Sequence, residues 1–188
     1  MAVDMFAVLF GGAVAMLPAY ASEILGVGPE GLGILRTAPA FGAILAALYF
    51  ALRPMQTFPL SRMLWSVAAF GLCMIGFGLS TTFILSVIFL AFSGLFDTIS
   101  VVIRTTLKQF LTPDHMRGRV SGISFMFVVS SNEIGAFESG TAARLMGLVP
   151  SVVFGGVMSI LVVATTYFLT PNLRQKIYTS DSEEEKSG

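Results

Sequence analysis

Residues 113–140 read PDHMRGRVSGISFMFVVSSNEIGAFESG. The stretch opens on a proline turn and a basic cluster, Arg117-Gly118-Arg119, then runs for about the thickness of a bilayer. Within that run it carries small residues, Asn132 and two carboxylates, Glu133 and Glu138. A carboxylate inside an apolar span is costly to hold there, so it is a candidate for function by default. The basic end marks one side of a membrane, and the polar middle marks where chemistry is expected.

Composition agrees with a membrane setting. The 188 residues are 55% hydrophobic and 12% charged, with mean hydropathy +0.83. Soluble domains carry about 25% charged residues, so bulk numbers alone give a membrane protein. The formal net charge of +0 says little about partners, because the charges are segregated. Asp181, Glu183, Glu184 and Glu185 gather at the end of the chain, and the basic residues gather at the ends of apolar runs. That distribution points to a lipid bilayer and argues against a nucleic-acid partner. The single cysteine, Cys73, lies in an apolar run, has no second thiol to pair with, and reads as a small packing residue. No signal peptide is expected, because the first apolar run starts at once without a basic leader.

A helix crossing about 30 Å of hydrocarbon needs about 20 mostly apolar residues. Six runs meet or approach that length, at about 2–22, 29–52, 63–79, 83–104, 117–140 and 148–169. The expected fold is an all-α membrane domain of six transmembrane helices over 1–170, followed by a disordered acidic cytoplasmic tail, 171–188. Asp4 suits a helix N-terminus, and Pro29-Glu30 suits a first helical turn. Spans three and six contain no charge and read as lipid-facing.

Topology follows from Lys and Arg. Arg53 and Arg62 lie between spans two and three, and Arg104, Lys108, Arg117 and Arg119 lie between four and five. Arg174, Lys176 and Lys186 lie in the tail, which makes nine of eleven on one side. Arg144 is opposite and Arg36 is inside span two. The positive-inside rule then puts both termini in the cytoplasm. Trp65, Tyr49 and Tyr167 fall near expected inner ends and Tyr20 near an outer end, as an aromatic belt would have it. A shift of 84 residues lays Pro29-Glu30 on Pro113-Asp114 and spans one to three on four to six. Three spans is an odd number, so the second copy enters the membrane inverted. Such 3+3 inverted repeats underlie many secondary transporters.

The candidates for a substrate or proton pathway are Asp97, Arg36, Glu133, Asn132 and Arg104. Arg36 and Glu133 fall at similar depths on the repeat-related spans two and five, about 10 Å in at 1.5 Å per residue. An Arg36–Glu133 pair is expected, either to carry substrate or protons or simply to let both helices insert. Asp97 precedes Arg104 by seven residues and shares its face. In a water-filled cavity it could exchange protons; facing a neighbouring helix it would be an ion pair. Glu138 lies close to the outer surface, where solvation is expected. Arg117 and Arg119 are the candidates for loop gating and topology. Ser131, Gly135 and Ser139 recur every four residues, as do Ala38, Gly42 and Ala46, a spacing that lets membrane helices pack closely.

Several chemistries find no support. There is no GxxxxGK[ST] run for a nucleotide-driven motor. The one histidine, His115, sits in a loop as a polar turn residue. No intramembrane serine–histidine pair and no clustered metal ligands stand out, so an enzyme, a metal centre and a bound cofactor are not expected.

Three runs carry a resemblance: residues 4–44, LFDTISVVIRTTLKQFLTPDHMRGRVSGISFMF at 95–127, and SSNEIGAFESG at 130–140. They resemble the C-terminal half of major facilitator superfamily exporters, in the branch containing the enterobactin exporter and macrolide and multidrug efflux proteins. The phrases VGPEGLG, PDHMRGRV and SNEIGAFESG are the branch-specific ones, and the resemblance covers nearly all of 4–170. It implies helices seven to twelve of a twelve-helix transporter working by alternating access, commonly by proton exchange. It also implies that spans one and four line a central cavity, two and five border the opposite half, and three and six face lipid. By position, Asp97 would face the cavity while Arg36 and Glu133 lie near the other half. The loop RPMQTFPLSR departs from the superfamily pattern, having no acid and no glycine. The N-terminal six helices have no counterpart in these residues. A proton-coupled exporter of amphipathic siderophore-like or drug-like molecules is therefore expected to need an N-terminal half, on the same or a separate chain, or a homodimer. The alternative is a non-transporting remnant or membrane scaffold.

Overall fold

The computed structural model describes residues 15–52 and 60–169. Within them lie six α-helices: α1 (Leu17–Glu23), α2 (Pro29–Leu52), α3 (Leu60–Leu79), α4 (Phe83–Leu111), α5 (Arg117–Met146) and α6 (Leu148–Leu169). A 3₁₀ turn, Asp114–Met116, joins α4 to α5. Five of them, α2 to α6, are long and apolar enough to cross a membrane. Most of span one, part of the RPMQTFPLSR loop and the acidic tail lie outside the described residues.

The helix boundaries follow from local chemistry. Pro29 opens α2 and Glu30 sits in its first turn, where the helix N-terminus favours a carboxylate. Only Ser80, Thr81 and Thr82 separate α3 from α4, which makes the two an antiparallel hairpin. Two helices outrun their expected lengths. The fourth continues past 104 to Leu111 because Thr105–Phe110 contains no breaker. It stops where Thr112, extended at φ −108° and ψ 122°, precedes Pro113. Arg104 is therefore inside a helix rather than at its edge. The fifth continues past 140 to Met146 and stops at Gly147, whose φ of 93° only glycine adopts easily. The Gly147 N–H donates to the Ala143 carbonyl at 2.9 Å, a C-terminal cap.

The main packing partners form a series: α2 on α4, α4 on α3, α3 on α6, and α6 more lightly on α5. The α2–α4 crossing is a backbone contact. A Cβ on Gly42 would run into the Ala91 carbonyl, and one on Gly94 into that of Pro39. Ala38, Gly42 and Ala46 are all buried there. Gly71 and Gly156 do the same for α3 and α6: a Cβ on either would meet the other's carbonyl oxygen at 2.9 or 2.8 Å. The principal core joins Leu17, Tyr20, Leu35, Met74, Phe77, Leu90 and Val152 from α1, α2, α3, α4 and α6.

Two expectations change. Tyr20 is no belt residue: it is fully buried. Its hydroxyl lies 2.9 Å from the Gly78 carbonyl oxygen and 3.1 Å from those of Phe77 and Ser80, so it caps the C-terminal end of α3. The third helix is not simply lipid-facing. It exposes Trp65, Leu72 and Leu79, yet it is the most buried of the spans because α4 and α6 flank it. Absence of charge is equally required of a helix among helices and of one among lipids.

Candidate functional site

Apart from Tyr20, the buried polar side chains among the described residues are all serines. Most bond a carbonyl of their own preceding turn, as Ser93 does to Leu90 at 2.7 Å and Ser159 to Gly155 at 3.0 Å. That satisfies them without a partner helix. Ser124 on α5 is different, because its buried Oγ has no hydrogen-bond partner.

The intramembrane candidates fall on different surfaces. Arg36 is exposed on α2, and Asp97 is exposed on α4. On α5, Ser131 and Gly135 are buried toward the bundle and Ser139 is half-buried, while Asn132 and Glu133 are exposed. No ion pair joins Arg36 and Glu133 among the described residues, since both side chains point away from the packed interior. Glu138 is not simply solvated. It follows Ser131 by seven residues and so lies on the same inward face. It is half-buried, with Oε2 buried and lacking a hydrogen-bond partner.

Where α4 hands over to α5, the structure opens a cleft of about 270 Å³. Arg104 and Lys108 line it from α4, Arg117 and Ser124 from α5. Arg104 and Lys108 meet there because four residues make about one helical turn. Arg117 joins them because its Nε donates to the Thr112 carbonyl at 3.4 Å, which folds the start of α5 back over the end of α4. Arg119 is exposed and lies outside the cleft. His115 is exposed in the turn.

Comparison with known proteins matches the family model described as "transmembrane secretion effector" to residues 2–186. The chain belongs to that family of major facilitator exporters. It is 31% identical over 144 residues to the enterobactin exporter EntS of Citrobacter koseri, covering 77% of this chain and 35% of that protein. It is 32% identical over 120 residues to EntS of Escherichia coli O1:K1, covering 64% of this chain and 29% of that protein. The chain thus spans about a third of the length of the curated relatives it matches. Membership makes it an integral, multi-pass membrane protein of the bacterial inner membrane, in a family of transporters and not of enzymes.

In a secretion-effector chain, two of these placements are poorly legible in the sequence and a third is legible only by its spacing. Lys108 reads as one more positive-inside residue until Arg104 and Arg117 are seen beside it. Ser124 has no distinguishing neighbour in sequence and stands out only by its missing partner. Glu138 did carry a signal, the seven-residue spacing from Ser131, which outweighs its nearness to the outer end of the helix.

Proposed function

We propose that this chain forms one six-helix half of a secondary transporter that exports amphipathic small molecules by alternating access. One observation carries the reading: α5 turns Asn132 and Glu133 outward from the middle of an apolar span, while only 17% of its most apolar window is buried. Lipid cannot solvate that surface, so it needs a water-filled cavity or a partner protein. The flanks of such a cavity fit the second half of an exporter. The layout repeat at 84 residues supports a 3+3 inverted arrangement, and the nine basic residues on one side support cytoplasmic termini.

In this reading Asp97 exchanges the coupling proton, and Asn132 and Glu133 meet the substrate or the opposite half, with Arg36 on the facing border. The resemblance to enterobactin exporters supports a siderophore-like or drug-like cargo. The other half comes from the same chain, a separate chain or a second copy. The test is efflux of a catecholate siderophore and of a lipophilic dye from cells expressing the protein in its natural context. Asp97→Asn abolishes proton-driven efflux and Glu133→Gln slows it. Efflux indifferent to both changes, or no flux of any substrate, favours a non-transporting scaffold instead.

A further inference from the structure

Arg36 and Glu133 are opposite charges that one copy of the chain does not bring together. Both are exposed, and neither has an ion-pair partner among the described residues. Under the topology proposed above, the charges outside those residues (Asp4, Arg53 and the tail) belong to the cytoplasmic side. Arg36 is sixteen residues before Leu52, and Glu133 is sixteen after Arg117. Each therefore stands about 24 Å from the cytoplasmic end of its helix at 1.5 Å per residue. Glu133 is also thirteen residues short of Met146, and it lacks the long stem with which Arg or Lys reaches an interface. Opposite charges at one depth in apolar spans are stable when they pair.

The fold puts both on one side of the bundle. α2 and α5 are the two ends of the packing series, and α1 stands between them. It packs on α2, and Met16 just ahead of it lies 3.8 Å from where a Cβ on Gly140 of α5 would stand. Because α2 and α5 cross in opposite directions, a two-fold axis beside α1 lays α2 of each copy antiparallel to α5 of the other. Arg36 of each copy then meets Glu133 of its partner, and symmetry makes the contact twice. The surfaces also fit in size. Ala40, Ala47 and Ala51 share the exposed strip of Arg36, set apart from the large residues Phe41, Leu45 and Leu48. On α5 the strip through Glu133 carries Met126, which is 70% exposed. Counted away from the two charges, Met126 comes level with Ala43 and Gly122 level with Ala47. Small residues at such a crossing let membrane helices approach closely.

We propose that a second copy of this chain docks on it, α2 to α5, through two symmetric Arg36–Glu133 ion pairs. This names the partner left open above and rests on the reading of the chain as half of a transporter.

The experiment measures self-association of the full chain in liposomes, by counting subunits per particle as the protein-to-lipid ratio is lowered. The parent is a dimer. Arg36→Glu and Glu133→Arg each weaken it more than about tenfold, since each sets like charges together at both contacts. Mixing the two variants restores the dimer, because a mixed pair has one native and one reversed contact, both of opposite sign. Arg119→Gln leaves association unchanged. A second measurement keeps the charges in place: with Cys73→Ala in both, chains carrying Ala40→Cys crosslink to chains carrying Val129→Cys under an added oxidant. A parent that stays monomeric, folded variants that do not complement on mixing, or no crosslink would each overturn the second copy. Efflux by such a monomer in its natural context would keep the half-transporter reading and give the other half to a different polypeptide. A dimer that exports nothing would keep the docking and sink that reading.

Discussion

Removing one oxygen tests how this bundle closes. Tyr20→Phe keeps the ring, which packs on Phe77 with centroids 4.6 Å apart, and deletes only the hydroxyl. That hydroxyl lies 2.9–3.1 Å from three carbonyls at the end of α3, those of Phe77, Gly78 and Ser80. It has one proton, so the loss is one hydrogen bond and not three. Phe77 also accepts from the Ser80 backbone N–H at 3.1 Å and the Ser80 hydroxyl at 2.8 Å, so it stays satisfied. Gly78, at the shortest distance, has no such second donor to fall back on and bears the loss. A buried carbonyl stripped of its donor costs about 1–3 kcal/mol. Hydrogen bonds within membrane proteins average nearer 0.6 kcal/mol, with a maximum of about 1.7. The expected loss is therefore about 1 kcal/mol, read by reversible unfolding in mixed micelles. The Ser80 hydroxyl bonds that of Ser86 at the same helix end, so Tyr20→Phe and Ser80→Ala should be coupled by about 0.5 kcal/mol or more. A Tyr20→Phe protein as stable as the parent, with additive behaviour alongside Ser80→Ala, would refute the capping role.

Gly42→Ala and Gly94→Ala each put a methyl into a facing carbonyl at the α2–α4 crossing, and overpacking of this kind costs about 1–3 kcal/mol. Gly33→Ala on the exposed side of the same helix meets nothing within 4 Å and should instead stabilise by up to about 1 kcal/mol; unfolding midpoints that rank the three differently would disprove the contact. Gly147→Ala should cost about 1–3 kcal/mol in the same assay, because φ 93° with ψ 164° belongs to backbone space that is nearly glycine's alone.

Hydropathy made the spans legible, and proline and glycine signals made several of their ends legible too. Pro29 starts α2 and Thr112-Pro113 ends α4. What hydropathy could not supply was the neighbour of each face. Tyr20 illustrates this: an amphipathic ring near a helix end suits a headgroup as well as it suits a helix C-terminus, and only the position of α3 decides. The same holds for α3, whose clean sequence fits both lipid and a place between two helices. Depth puts Arg36 and Glu133 at one level but says nothing about azimuth, and both side chains face outward. The cleft was hidden for a related reason. Its three cations are spread over fourteen residues, Arg104 to Arg117, and converge only because the chain reverses at Thr112 and Pro113.

The two ends of the helix series carry different obligations. Past Arg36, the exposed side of α2 holds Phe41, Ile44, Leu45, Leu48 and Leu52, a stretch that lipid can cover at no cost. The exposed side of α5 interleaves Phe125, Phe127, Ile134 and Phe137 with Ser130, Asn132 and Glu133. A carboxylate at mid-bilayer costs about 3 kcal/mol on insertion scales, and an amide adds to that. The inward face of α5 cannot relieve the cost by rotating, because it already carries Ser131, Gly135 and the half-buried Glu138. Polar groups therefore sit on opposite sides of one helix, and no rotation hides both from lipid. A helix of that composition is stable in a membrane only with protein or water on each side. The packed bundle supplies one of them, and the proposed second half supplies the other.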